Sequence, residues 1–438
     1  MSNEKNAVIF ADVNRKIGKI KPMHGINQPP FAGLNFDMFH YLTEAGIPFS
    51  RTHDVGGQFG GDAFIDIPNL FRDFSADPEN PDAYDFTFTD RFIGALVNAG
   101  VEPFFRLGVS IENYCQVKAY RIYPPSDNLK WAKICEGVIR HYNEGWADGF
   151  HYSIRYFEIW NEPDNIPDPM MNQMWRGTPE KFFKLYEVAS KHLKKCFPHL
   201  HIGGYASCGF YHLTDKVKLG YGCGEHYIKF FEDFLAYIRE HDCPLDFFSW
   251  HSYSSVEDTM SWTGYVCDRL EKYGYGDAEQ FLNEWNVEHN LRDTVHHAAL
   301  TAAMMLAAQN SPIDGAMFYD ARLGVSVYGG VFNPLTRKPF PAYYSFVAFN
   351  ELYRRKTQIK VDCGCGGVYA VGAYDDGGDG CIVIVNTLDG DVNLTLDLAG
   401  GAEITGCKIL DEEHMLTDCP LPDVMKPYDT LCITMKKK

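Results

Sequence analysis

Apolar and polar residues between positions 19 and 352 follow two patterns that alternate along the chain. Short apolar runs, typical of buried strands, are separated by segments with apolar residues at roughly i, i+3, i+4 and i+7, typical of amphipathic helices. Several helical segments end at a glycine, a common C-terminal signal. The predicted strands are KIKPMHGI (19–26), PFSRT (48–52), EPFFRL (102–107), RYFEIW (155–160), HIGGY (201–205), DFFSWH (246–251), EQFLN (279–283) and DGAMFY (314–319).

Eight strand–helix units in about 330 residues predict an α/β fold, a (β/α)8 barrel spanning residues 15–352. A doubly wound sheet is the alternative, and it usually carries a glycine-rich phosphate loop after its first strand. Here the first strand is followed by HGINQPP (24–30), which lacks the GxGxxG pattern. The barrel is therefore favoured.

The pattern changes after residue 352, where apolar and polar residues alternate between turns rich in glycine and aspartate. Asp376-Gly377 and Asp389-Gly390 are typical hairpin turns. This predicts an antiparallel β-sandwich. The segment AVIFAD (7–12) also has the pattern of a strand and is expected to pair with it, so that the small domain comprises residues 1–14 and 353–438.

Composition narrows the classes of function. The formal net charge of the 438-residue chain is −18, which disfavours nucleic acid as a partner. No apolar run reaches about 18 residues, so no membrane-spanning helix is expected. The N-terminus lacks the features of a signal peptide, and the 13 cysteines contain no CxxC pair. We therefore expect a cytoplasmic protein with free thiols and no metal site.

Polar residues cluster at the predicted strand ends, where a barrel builds its active site. Glu162 follows the fourth strand in IWNEP, and Glu284 follows the seventh in FLNEW. Two converging carboxyl groups are what glycoside hydrolysis requires, although each glutamate alone could be an ordinary surface charge. The other candidates, each of which could instead be structural, are His24, Arg51, His53, Asp54, Asn161, His251, Tyr253, Trp285 and Tyr319.

The segments FEIWNEPD and FLNEWN resemble the acid/base and nucleophile motifs of retaining (β/α)8 glycosidases. Within that clan the chain is most similar to glycoside hydrolase family 39, which includes β-xylosidases and α-L-iduronidases. Further similarities are His24-Gly25, Arg51-Thr52-His53 and the sandwich after the barrel. The resemblance covers essentially the whole chain.

This resemblance implies roles for the candidates. Glu162 would be the general acid/base, Glu284 the nucleophile, and Asn161 a partner of the sugar 2-hydroxyl. Arg51 and Tyr253 would orient Glu284 and keep it ionised, and the three histidines His24, His53 and His251 would line the sugar pocket. Many clan members place a tryptophan after the eighth strand, where this chain has AMFYDAR, so the aromatic floor is expected from Tyr319, Trp285 or Trp250.

The expected function is a retaining exo-glycosidase that acts on short plant-type oligosaccharides, most like a β-xylosidase, with no metal or organic cofactor. The two carboxyl groups are predicted to lie about 5–5.5 Å apart. The alternatives are an α-L-iduronidase-like activity using Arg106 or Arg322, arabinose release, a β-glucosidase-like activity, an endo-acting hydrolase and a non-catalytic sugar-binding barrel. Residues 53–88 could wall one end of the cleft or reach a second subunit, since a homo-oligomer is possible.

Overall fold

The computed structural model describes residues 5–33, 36–55, 64–111, 120–214, 219–324 and 326–437. The strands are β1 Lys5–Lys19, β2 Gly25–Asn27, β3 Phe31–Gly33, β4 Phe36–Asp37, β5 Phe49–Arg51, β6 Glu102–Leu107, β7 Tyr156–Ile159, β8 His201–Ser207, β9 Phe247–Ser252, β10 Glu279–Trp285, β11 Gly315–Phe318, β12 Thr357–Cys363, β13 Val368–Tyr374, β14 Asp379–Asn386, β15 Val392–Ala399, β16 Ala402–Leu410, β17 Met415–Asp418, β18 Val424–Met425 and β19 Thr430–Lys437. The α-helices are α1 His40–Glu44, α2 Ile67–Leu70, α3 Thr87–Asn98, α4 Asn128–Glu144, α5 Pro179–Cys196, α6 Cys223–Glu240, α7 Val256–Lys272, α8 Val295–Gln309 and α9 Pro341–Tyr353. Among the described residues, every helix is too short or too polar to cross a bilayer.

Eight parallel strands close into a barrel in the order β10-β11-β2-β5-β6-β7-β8-β9, which confirms the predicted (β/α)8 architecture. The first barrel strand differs from its prediction over residues 19–26. Lys19 ends β1 of the small domain, and the barrel strand β2 begins only at Gly25. Pro22 lies between the two and cannot donate a backbone hydrogen bond to a sheet, which fits a break there.

The barrel interior is layered. Its lower layer is apolar and mostly aromatic, with the ring centroids of Phe104 and Tyr156 separated by 5.4 Å. Side chains alternate between the two faces of a strand, so the residues two positions further along point inward as well. The lower layer consists of Phe49, Phe104, Tyr156, Phe247, Phe281 and Met317. The layer above it contains Arg51, Arg106, Glu158, Ser249 and Asn283. A polar layer thus rests directly on an apolar one.

The small domain is a nine-stranded sheet in the order β17-β16-β19-β14-β13-β12-β1-β15-β18, which encloses a core containing Ile9, Ile359, Ile382 and Ile433. This confirms the predicted accessory β-domain. Strand β1 lies between β12 and β15 and continues to Lys19, so the chain enters the barrel a few residues later than position 15. Its pairing with β15 is parallel, whereas its pairing with β12 is antiparallel, so the sheet is not purely antiparallel.

We expect Phe104→Ala to destabilise the protein by about 3–5 kcal/mol, because the ring is fully buried in the lower barrel layer and its removal leaves a cavity. The free energy of unfolding from urea titration measures this. Leu335→Ala is the control, since that side chain is 89% exposed. Similar losses for the two variants would contradict the layered interior.

Candidate active site

Arg51, the last residue of β5, connects three strands at the barrel mouth. Its Nε donates to Glu158 Oε2 at 2.8 Å, its Nη1 to Glu284 Oε1 at 2.9 Å, and its Nη2 to Asn161 Oδ1. The guanidinium is completely buried. Burial acts to lower the pKa of Arg51, but the Glu158 and Glu284 carboxylates raise it above its usual value. Arg51 is therefore a permanent buried cation that holds Glu284.

Glu158, on β7, anchors Arg51 from below and was not among the sequence candidates. Its Oε1 accepts hydrogen bonds from Ser249 Oγ at 2.6 Å and from Asn283 Nδ2. Both oxygens are thus satisfied, as a buried carboxylate requires. A usable signal was present in the sequence, since a charged residue in the apolar run YFEIW must face a polar partner if the strand is buried.

Glu284 points into the barrel because β10 is irregular. The pairing between β10 and β9 shifts between Leu282 and Glu284, which aligns Glu284 with His251. Such a bulge redirects the side chains that follow it. Tyr253 Oη donates to Glu284 Oε2 at 2.7 Å, which leaves the carboxyl held at both oxygens.

Trp285 does not join the site, which corrects its assignment as a sugar-pocket residue. Directly after the inward-facing Glu284, its ring turns outward and packs edge-on against Phe318, with centroids 5.1 Å apart. It is fully buried in the core between barrel and helices. The bulge that turns Glu284 inward therefore turns Trp285 outward.

Glu162 reaches the mouth through a loop with left-handed backbone. Trp160 has φ 75° and Glu162 has φ 43°, values that non-glycine residues seldom adopt. The Glu162 amide donates to the Ala206 carbonyl at 3.0 Å. Its Oε1 lies 2.8 Å from His251 Nδ1, and its Oε2 accepts from Asn165 Nδ2 at 3.1 Å.

The two glutamates converge as the sequence motifs predict. One carboxylate oxygen of Glu162, one of Glu284 and a ring nitrogen of His251 all lie within 4.8 Å of one another. His251 Nδ1 is 3.3 Å from Glu284 Oε2, so the ring bridges the pair. This approach of single oxygen atoms is compatible with the 5–5.5 Å that separates the two carboxyl groups of retaining glycosidases.

Burial raises the pKa of both carboxyl groups, to about 7 for Glu284. At Glu284 the neighbouring His251 and Arg51 lower the pKa, while Glu162 raises it further. Of these two glutamates, Glu284 alone forms a salt bridge with Arg51, which favours the ionised form of Glu284 over that of Glu162.

His251 is neutral near neutral pH, because burial lowers its pKa to about 4. Its Nε2 is buried with no partner in the described part of the chain, whereas Nδ1 faces both carboxyl groups. An unpaired ring nitrogen costs less without a hydrogen than with one that lacks an acceptor. The hydrogen is therefore assigned to Nδ1, which donates into the carboxyl pair.

A second cluster of polar side chains lies next to Glu284, on the side of β5 and β11. His53 Nε2 lies 3.4 Å from Asp54 Oδ1 and 3.9 Å from Glu284 Oε1. Tyr319 Oη donates to Asp54 Oδ2 at 3.2 Å. Burial lowers the pKa of His53 well below its usual value and raises that of Asp54. The structure thus places these three sequence candidates beside the carboxyl pair.

Three tyrosine rings line the adjoining wall. The ring centroid of Tyr328 lies 5.0 Å from that of Tyr253 and 5.5 Å from that of Tyr319. Tyr328 was missed in the sequence because it lies in a loop with no strand or helix pattern. Aromatic faces of this kind suit the apolar face of a sugar ring. Tyr319 therefore belongs to an aromatic cluster beside the carboxyl pair, and its role as the floor of a sugar site stays a prediction.

His24 lies outside this group, which corrects its assignment to the sugar pocket. The residue precedes β2 rather than following it, so it belongs to the opposite end of the barrel from the strand-end cluster. Its Nε2 is 3.0 Å from the Gly46 carbonyl, and its ring packs against Phe349 and Tyr353 of α9. Burial lowers its pKa to about 3. His24 is a structural, neutral histidine.

Two groups of potential metal ligands converge in the described part of the chain. The first is the carboxyl pair with His251, where the Arg51 cation already occupies Glu284. The second, on α4 and α5, contains Cys196 and the pair Glu136 and His192, whose Oε2 and Nε2 lie 2.6 Å apart. The other Glu136 oxygen accepts from Arg140, so these partners satisfy one another without a metal.

A closed (β/α)8 barrel with two converging carboxyl groups at its strand ends is the architecture of barrel glycosidases. The sequence profile of the family "Glycosyl hydrolases family 39" matches residues 64–314, which is more than half of the chain. The chain belongs to this family.

Individual relatives agree with this assignment. The chain is 26% identical over 330 residues to a β-xylosidase of Geobacillus stearothermophilus, covering 66% of this chain and 60% of that protein. It is 27% identical over 246 residues to a β-xylosidase of Caldicellulosiruptor saccharolyticus, covering 51% and 45%. The chain therefore spans about half to three fifths of these relatives' length.

Solved structures share the fold over nearly the whole chain. A glucosidase from Croceicoccus marinus superposes with a TM-score of 0.80 at 20% identity, with all of both chains covered. A monomeric β-xylosidase from Caulobacter crescentus CB15 gives a TM-score of 0.67 at 16% identity, covering 98% of this chain and 99% of that one. At such identities the likeness concerns the fold.

Glu158→Ala should destabilise the protein by about 3–5 kcal/mol, because it leaves the buried Arg51 cation with one carboxylate partner fewer. Chemical denaturation measures the loss. Glu79→Ala breaks the exposed ion pair with Lys133 and should leave the unfolding midpoint unchanged. Equal midpoints for wild type and Glu158→Ala would show that Glu158 does not anchor Arg51.

Proposed function

We propose that the chain is a retaining glycosidase in which Glu284 is the nucleophile and Glu162 the general acid/base. The observation that carries this proposal is the approach of one Glu162 oxygen to within 4.8 Å of one Glu284 oxygen, on a barrel of family 39. The predicted carboxyl separation of about 5–5.5 Å leaves no room for the water that an inverting enzyme places between carboxylate and sugar. It suits direct attack on the anomeric carbon.

The polarity of the site supports the division of roles. Glu284 is held by Arg51 and Tyr253, which keep it ionised and aimed at the sugar. Glu162 carries the shared proton and donates it to the leaving oxygen in the first step. Glycosylation removes the charge of Glu284, so the pKa of Glu162 falls and it accepts a proton from water in the second step.

The proposed substrate is a neutral glycoside, most like that of the β-xylosidases named among the relatives. A uronic acid would need a cation for its carboxylate. Arg106 donates to Asp66 at 2.6 Å and Arg322 to Asp320 at 2.9 Å, so both cations suggested by the sequence are already paired. This pairing favours an uncharged sugar over the α-L-iduronidase-like alternative.

We further propose exo action on short oligosaccharides in the cytoplasm. Asp66 lies in the segment 53–88, and its bond to Arg106 ties that segment to the barrel wall, where it can close one end of the cleft. Residues 56–63 of the segment lie outside the described residues. The cysteines of the described part are all free, as expected in a reducing compartment.

Substrates with good and poor leaving groups separate the two roles. Glu162→Ala should lower kcat/KM about 10²–10⁴-fold on a xylo-oligosaccharide, since general acid catalysis contributes that much, while sparing glycosylation by an aryl xyloside. Azide should restore turnover and give a product of retained configuration. Glu284→Ala should lower activity on both substrates, and azide should yield an inverted product.

Product configuration is read by NMR, and a panel of aryl glycosides, including glucoside and arabinoside, identifies the sugar. Glu79→Ala is the control for a surface carboxylate. Rescued products of one shared configuration would exclude this assignment of roles. Wild-type protein inactive on the whole panel would favour a non-catalytic sugar-binding barrel.

The pH dependence of kcat/KM should be bell-shaped for a sugar leaving group. Rate falls at low pH as Glu284 gains a proton, and at high pH as Glu162 loses its own. Because burial raises the pKa of Glu162, the basic limb should lie above the ordinary range of a glutamate. With an aryl substrate whose departure needs little acid catalysis, the basic limb of the glycosylation step should be absent in the wild type, and an equal basic limb with both substrates would assign it to another group.

A further inference from the structure

A small polar network lies behind Glu162, and the two-step mechanism does not use it. Asn165 Nδ2 donates to Glu162 Oε2 at 3.1 Å and lies 3.8 Å from Cys208 Sγ. The Asn165 backbone is fixed as well, since its carbonyl accepts from Tyr227 Oη at 3.0 Å and its amide donates to the Glu162 carbonyl at 3.1 Å. The amide group of Asn165 therefore has a defined direction.

The loop after β7 is tied to the end of β8 by Asp164. Its buried carboxyl accepts from Ser207 Oγ at 2.7 Å and from the Cys208 amide at 3.2 Å. The Glu162 amide reaches the same strand end through the Ala206 carbonyl. The positions of Glu162 and Cys208 are thus set by one set of contacts, which keeps the thiol beside the carboxyl group.

Cys208 is a neutral thiol in this setting. The residue is almost fully buried, and burial raises the pKa of its thiol well above the usual value. Hydrogen bonds from Asn165 and from Cys208 favour the ionised form of Glu162 and oppose the effect of burial on its pKa. A charged thiolate would have the opposite effect on the carboxyl group, since like charges disfavour ionisation.

We infer that Asn165, with Cys208 beside it, is a positioning residue that fixes the orientation of the Glu162 carboxyl group by donating a hydrogen bond to Oε2. The amide nitrogen of asparagine can only donate, so this bond holds Oε2 as an acceptor and fixes the direction in which Oε1 points. Oε1 faces His251 and the carboxyl group of Glu284, where the leaving oxygen must lie. This inference rests on the proposed role of Glu162.

The decisive variant is Asn165→Ala. On a xylo-oligosaccharide its kcat/KM should fall about 10-fold, a part of the 10²–10⁴-fold that general acid catalysis supplies. On an aryl xyloside with a good leaving group kcat/KM should stay within about twofold, because departure of that group needs little acid catalysis. The basic limb of the pH profile should move to higher pH, since a donor to the ionised form has been lost.

Cys208→Ala should also lower kcat/KM on the xylo-oligosaccharide and move the basic limb to higher pH, both by less than Asn165→Ala. Cys208→Ser keeps a donor and should return both quantities to the wild-type values. Asn172→Ala is the matched control in the same loop, since Asn172 binds backbone groups of the loop. Cys223→Ala is the control for a neighbouring buried thiol. Both controls should leave the basic limb in place.

If Asn165→Ala loses equal factors of kcat/KM on both substrates and keeps the basic limb of the wild type, the inference is overturned and Asn165 is a structural residue. Unchanged activity of Asn165→Ala would overturn the inference as well. If Asn165→Ala does not fold, Asn165→Asp keeps the shape and removes the donor, and it should raise the basic limb further. Glu162→Ala is measured in parallel. If the loss of kcat/KM in Glu162→Ala does not depend on the leaving group, the proposed function is wrong. If Glu162→Ala behaves as expected but Asn165→Ala does not, only the positioning role is refuted.

Discussion

The buried contact between Arg51 and two glutamates determines the geometry of the whole site. A guanidinium is planar and always charged, so its donors reach Glu158 and Glu284 in fixed relative directions. Glu158 is itself fixed by Ser249 and Asn283 from two other strands. The orientation of Glu284 is therefore transmitted from the rigid barrel wall through Arg51, which a mobile loop residue could not achieve.

The same contact sets the charge of the site. In the resting state of the proposed mechanism, the carboxylates of Glu158 and Glu284, the Arg51 cation and the protonated Glu162 give the buried cluster a net charge of −1. Under the proposed mechanism, glycosylation removes one negative charge at Glu284 while ionisation of Glu162 adds one, so the sum is unchanged. Large changes of buried charge are costly in a medium of low dielectric constant. Moving a negative charge from Glu284 to Glu162 is therefore less costly than a step that changes the net charge of the cluster.

The sequence was sufficient for the barrel, the small domain and the convergence of Glu162 with Glu284, because periodicity and motif position carry that information. It was insufficient where local backbone departs from regular geometry. His24 was misassigned because β2 begins after it rather than before it. Glu158 escaped notice because an inward-facing residue in mid-strand looks like core until its partners from other strands are known.

Both carboxyl groups reach the mouth through such departures, and in each case a tryptophan turns the other way. Regular alternation from Glu158 would direct Trp160 into the barrel, but its left-handed backbone lets the ring pack between Trp131 and Trp175. A strained backbone of this kind costs about 1–3 kcal/mol per residue. Burial of a tryptophan ring offsets a cost of that size. The aromatic residues beside each glutamate therefore stabilise the irregular backbone that directs the carboxyl groups toward each other.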